Sequence, residues 1–87
     1  MNGESREVRL KRMRMRAWHR GTKEMDLILG RFIDDRLGGM DAATLDLLDA
    51  LMEENDQDLY QWVTGQCPAP ARFSALVAQV AAHAGVR

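Results

Sequence analysis

The sequence predicts an all-α protein, a small compact five-helix bundle. Apolar residues recur at spacings of three and four along most of its length. No stretch shows the sustained alternation with β-branched residues that marks a strand. Gly-Gly, Asn-Asp and Pro-x-Pro breaks cut the periodic pattern into segments of helical length joined by short connections.

The first helix is expected from near Glu4 to Trp18. Leu10, Met13 and Ala17 form its apolar stripe, with arginines between them; Met13, Met15 and Trp18 are expected in the core, because a domain of this size cannot spare them. The second starts just after Gly21. Met25, Ile28, Leu29, Phe32 and Ile33 follow the i, i+3, i+4, i+7, i+8 pattern of a wide buried face, and Gly38-Gly39 ends it. Asp41 suits the N-cap of a third helix, whose inner side is Leu45, Leu48, Leu51 and Met52. Asp56 suits the cap of a short fourth helix over 57–64, with Gly65 at its C′ position. Leu59 and Trp62 are its core residues, and Tyr60 points to another side. Pro68-Ala69-Pro70 forces an extended connector, and Pro70 fits the first turn of a fifth helix carrying Phe73, Leu76, Val77, Val80, Ala81 and Ala84.

The 87 residues fit one domain, 1–87, with 46% hydrophobic and 29% charged residues. The net charge of −1 conceals an uneven distribution. Residues 1–24 carry eight Arg and Lys against three Glu, whereas the remainder carries ten Asp and Glu against four Arg. The simplest account is a set of solvated helix faces, and an oriented partner is the alternative. The single cysteine, Cys67, cannot form an internal disulfide, which fits a reducing compartment, and it reads as an ordinary thiol in a connector. No apolar run approaches the ~20 residues of a membrane span, and the N-terminus lacks a signal peptide's apolar core. These features lead us to expect a bacterial cytoplasmic protein, with a matured mitochondrial matrix form as the alternative.

No catalytic or metal-ligating constellation stands out. His19 and His83 are far apart, no Cys/His/carboxylate spacing matches a zinc or iron site, and no glycine-rich phosphate loop follows a strand. The expectation is therefore a protein that is not an enzyme, with no metal and no cofactor of its own.

The densest functional signal is His19-Arg20-Gly21-Thr22-Lys23-Glu24. In a structural reading, Gly21 is the N-cap of the second helix and Glu24 sits at N3, where its carboxylate suits the helix dipole. Arg20 and Glu24 then pair loosely on the surface. In a functional reading, Arg20 offers a planar bidentate donor beside free helix amides, and Gly21 allows close approach of a partner. The second dense stretch is Asp56-Gln57-Asp58-Leu59-Tyr60-Gln61-Trp62. Here Asp56 is most simply a cap, and Asp58, at the second helical position, suits the dipole.

Together the two stretches resemble the succinate dehydrogenase flavinylation factors, the SdhE-like assembly factors. That family's Arg-Gly-x-x-Glu signature is matched by Arg20, Gly21 and Glu24. Its second block, Asp-x-Asp-Leu-aromatic-x-Trp, is matched by Asp56, Asp58, Leu59, Tyr60 and Trp62. Gln57 stands where many members have proline. The resemblance covers about residues 9–66, leaving 67–87 as a connector and C-terminal helix. It implies an assembly chaperone that binds the flavoprotein subunit of succinate dehydrogenase, or of the related fumarate reductase. Such a chaperone promotes covalent attachment of FAD to a histidine of that subunit. It implies partner-binding roles for Arg20, Gly21 and Glu24, with His19 and Lys23 sharing the surface, and FAD that belongs to the client. Arg20 is expected to dock on polar groups of the partner, and the chain is expected to be a monomer. A competing reading uses the basic first helix, where Arg9, Arg12 and Arg16 share a face, to bind nucleic acid or a membrane surface.

Overall fold

In the computed structural model, which describes residues 4–86, each of the first four helices begins where a short polar side chain can take up a free amide. Ser5 Oγ accepts from the Val8 amide at 3.2 Å and opens α1, Arg6–Ala17. Thr22 Oγ1 accepts from Met25 at 3.2 Å and opens α2, Lys23–Arg36. Asp41 Oδ1 accepts from Thr44 at 2.8 Å and opens α3, Ala42–Leu51. Asn55 Oδ1 accepts from Asp58 at 2.9 Å and opens α4, Asp56–Val63. Each of these bonds satisfies an amide that the helix itself leaves orphaned. The fifth helix, α5, spans Ser74–Ala84.

Two expected caps are displaced by one residue. Thr22, not Gly21, caps α2, so Glu24 occupies the second helical position rather than the third. Asn55, not Asp56, caps α4, so Asp56 is its first residue and Asp58 its third. The Asn55 side-chain Nδ2 also donates to Asp58 Oδ2 at 3.0 Å, which ties the cap to the first turn of α4. The glycine pair after α2 forms a 3₁₀ turn, Leu37–Gly39. Pro70 leads into a second 3₁₀ turn, Ala71–Phe73, instead of lying inside α5. Gly65, with φ of 82°, takes the left-handed conformation expected just past α4.

The long amphipathic α2 is central and lies against α1, α4 and α5. Its Met25, Leu29, Phe32 and Ile33 are fully buried, facing Met13 and Ala17 of α1 and Leu76, Val77, Val80 and Ala81 of α5. Leu45, Leu48 and Leu51 of α3 and Leu59 and Val63 of α4 complete the same core. Met15 does not join it. At 57% exposure it sits on the outer face of α1, two residues out of phase with Met13 and Ala17. Trp18 is half-buried and caps the α1–α2 contact, its ring directly over Gly30: a Cβ there would lie 2.4 Å from the indole. The indole N–H donates to Asp34 Oδ2 at 3.2 Å. At the far end, His83 of α5 meets Asp35 of α2 at 2.7 Å and sets its ring against Phe32. Among the described residues, no helix is long and apolar enough to cross a membrane.

Candidate functional site

The arginines on the side of α1 that faces α3 are paired within the chain. Arg9 pairs with Asp46 at 2.7 Å, Arg12 grips Asp49 with both terminal nitrogens at 2.7 and 3.0 Å, and Arg16 meets Glu53 at 2.6 Å. Arg12 also reaches Glu4 at 2.8 Å. The basic stripe of α1 therefore lies along the acidic side of α3. The Arg12 guanidinium holds the Asp49 carboxyl below the usual carboxylate range against an opposing effect of burial. With these charges met internally, the face formed by Arg9, Arg12 and Arg16 gives no support to a nucleic-acid or membrane-surface reading.

Arg20 behaves differently from its expected surface role. Its side chain is only 10% exposed, and it points inward, away from Glu24. Nε donates to Asp56 Oδ1 at 2.8 Å, Nη1 to the Met52 carbonyl at 2.7 Å and Nη2 to the Glu54 carbonyl at 2.9 Å. Those carbonyls close the end of α3, where backbone acceptors lack helical partners. The second oxygen of Asp56 accepts the Gly21 amide, and Asp26 Oδ1 accepts the Arg20 amide. Thus Asp56, expected as a helix cap, instead clamps the Arg-Gly turn from across 36 residues of sequence. The planar fork of arginine suits this three-way binding, which a lysine cannot reproduce.

The clamp also explains glycine at position 21. Its φ is not in the left-handed region. A Cβ would sit 3.1 Å from Asp56 Oδ2, so any side chain presses on the carboxylate that holds the turn.

The other residues of the motif face out. His19, Lys23 and Glu24 are exposed. The His19 ring Nδ1–H donates to the Met15 carbonyl at 2.7 Å, which fixes the ring against the end of α1. Lys23 and Glu24 make no side-chain hydrogen bond or ion pair with the described residues. The turn forms a ridge between two concavities. One is shallow and bounded by Met15, Arg16, His19 and Arg20. The other is a groove of about 460 Å³ between the start of α2 and α4, walled by Thr22 and Glu24 on one side and by Asp56, Gln57, Tyr60 and Gln61 on the other, with Gln66 at its end. No cluster of three His, Cys, Asp or Glu side chains suited to a metal ion occurs among the described residues.

The structure thus brings the expected site residues to one place and divides them: Arg20 faces in, while His19, Gly21, Lys23 and Glu24 face out. Sequence reasoning missed Asp56 and Asp26 as the holders of the turn, and Gln57, Gln61 and Gln66 as walls of the groove beside it. The signal that could have found Asp56 was its surplus: Asn55 already supplies the cap, leaving an adjacent carboxylate free for another task.

Comparison with known proteins bears on this arrangement. A sequence model described as flavinator of succinate dehydrogenase matches residues 11–84, a range that includes α5. The chain is 37% identical over 73 residues to a mitochondrial succinate dehydrogenase assembly factor 2 of Mycosarcoma maydis, covering 84% of this chain and 31% of that protein. It is 39% identical over 74 residues to the protein of the same description from Meyerozyma guilliermondii, covering 82% and 55%. With the FAD assembly factor SdhE of Acetobacter pasteurianus it shares 36% identity over 63 residues, covering 72% and 58%. The chain spans about a third to somewhat over half of the length of these relatives. No solved structure matches it. The two motif blocks that resemble the assembly factors are the two that Arg20 and Asp56 join, and the chain belongs to the succinate dehydrogenase flavinator family.

Proposed function

We propose that this chain is an assembly factor that binds the flavoprotein subunit of succinate dehydrogenase and promotes covalent attachment of FAD to it. It does so as a chaperone, without chemistry of its own. The FAD and its acceptor histidine both belong to the client. Bringing two reacting groups into register can remove ~7–11 kcal/mol of a barrier, so a protein that only holds the client in a reactive arrangement has enough physical leverage.

The observation that carries this reading is the internal commitment of Arg20. Stapled to Asp56, Met52 and Glu54, it fixes the Arg-Gly turn as a rigid ridge. The ridge presents Gly21, Lys23, Glu24 and His19 to a partner with little ordering left to be done on binding. Arg20 is thus a positioning residue, and the exposed residues are the contacts.

The test is co-expression with a succinate dehydrogenase flavoprotein subunit in a host lacking its own factor, read as in-gel flavin fluorescence after denaturation. The unaltered chain is expected to restore the fluorescent band. Lys23→Glu and Glu24→Ala are expected to weaken it while thermal stability stays within ~0.5 kcal/mol, as for other surface changes. A normal band from both variants would remove the ridge from the contact surface. A substitution at Gly21 is less informative, because it also strains the Asp56 clamp.

A further inference from the structure

We infer that the groove beside the ridge receives an extended, basic segment of the client flavoprotein; this rests on the assembly-factor reading above. Along α4, Gln57, Tyr60 and Gln61 recur at i, i+3 and i+4 and form the outward face, while Leu59 and Val63 face the core. The carboxamides of Gln57 and Gln66 have no hydrogen-bond partner among the described residues, and that of Gln61 takes only the Cys67 thiol at 3.7 Å. A glutamine side chain offers one acceptor and two donors, so it can pair with both groups of a peptide unit whatever side chain that unit carries. Gln57 and Gln61 are one helical turn apart, about 6 Å along the axis. An extended chain repeats a given face about every 6.6 Å. One row of amides along α4 can therefore follow alternate residues of a strand-like segment.

Charge selects the segment. Of the two carboxylates lining the groove, Asp56 is neutralised by Arg20, and Glu24 meets no cation among the described residues. Elsewhere the aspartates and glutamate of α3 and its C-terminal turn that face α1 are matched by arginines. An arginine or lysine of the segment would meet Glu24 at the groove wall, and Tyr60, 39% exposed with its hydroxyl unengaged among the described residues, offers a ring face for the stem of that side chain.

The experiment uses the full chain and the purified apo flavoprotein subunit. Gln61 is replaced by photoactivatable benzoylphenylalanine, and the cross-linked client peptide is sequenced. In parallel, affinity is measured for Glu24→Lys and for Gln57→Ala/Gln61→Ala, with melting curves to confirm folding. The expected result is a cross-link to a client segment containing Arg or Lys. Affinity should fall at least tenfold for Glu24→Lys, the loss expected when a paired charge is reversed, and should fall less for the double alanine variant. Cross-links to a second copy of this chain, to an acidic client segment or to nothing would overturn the groove assignment, as would full affinity in both variants. If the unaltered chain still binds and promotes flavinylation in that case, the proposed function stands without the groove. If the unaltered chain does neither, both fall together.

Discussion

Arg12 and Arg20 are eight residues apart, and each binds an aspartate 36 or 37 residues downstream, yet the two contacts are built differently. Arg12 belongs to an open ladder along α1 and α3, where side chain meets side chain and Arg12 itself stays 35% exposed. Arg20 and Asp56 are 10% and 12% exposed, and the guanidinium also closes two backbone carbonyls. The ladder is a run of partly solvent-screened contacts, shared at Asp49 and each of modest individual worth. The clamp is a single unit in which losing one member strands several largely buried groups. Both look alike as charge spacing, so it is the surroundings of a charged pair, more than its charges, that decide what it contributes.

Three measurements sharpen that contrast. The largest effect is expected for Arg20→Lys. A point charge cannot serve Asp56 and two carbonyls together, so stability should drop by about 2–3 kcal/mol. The melting midpoint should then fall by roughly 10–20 °C, and, on the function proposed above, flavinylation should fail even though the net charge is unchanged. A loss below half a kilocalorie would reduce the clamp to another surface pair.

Asp49→Asn comes next, at about 1–2 kcal/mol by urea denaturation at neutral pH, since a charge-assisted bidentate contact is lost. The Asp49 carboxyl is depressed in the folded state by Arg12. Its contribution is therefore complete above the unfolded value, near pH 4, and disappears as pH falls through the lower folded value. The unaltered chain should lose stability on going from pH 6 to pH 3, and Asp49→Asn should lose less over the same interval. Smallest of all is Glu53→Gln, at the open end of the ladder, where Glu53 is 64% exposed. It should change stability by no more than ~0.5 kcal/mol, and that small effect should shrink further with added salt.

The parts of the fold that rest on local periodicity were legible beforehand. The buried face of α2, the inner leucines of α3 and the stripe of α5 lie where spacing puts them, with Ile28 and Ala84 half-buried at the margins. Met15 shows the price of reading residue type without phase: with Met13 and Ala17 inward, its position two residues on has to face outward. The caps of α2 and α4 were misplaced by one residue because neighbouring residues are comparable caps in isolation. At α4 a distant partner broke the tie, since Arg20 takes Asp56 and leaves the capping to Asn55. For the same reason the motif residues were legible as a set, but their division into an inward Arg20 and outward neighbours was not. Nothing local to residues 19–24 encodes the carbonyls of Met52 and Glu54.

The clamp between residues 20 and 56 also ties recognition to folding. The ridge cannot take shape until α4 is in place, so a partially folded chain lacks a binding face altogether. On the function proposed above, only the native state engages the client, and each increment of binding is returned as stability by mass action, roughly RT ln(1 + [L]/Kd). A variant that weakens the core without touching the ridge will accordingly register as a weaker binder once its unfolded population becomes appreciable. An excess of client will raise the melting temperature of the same variant.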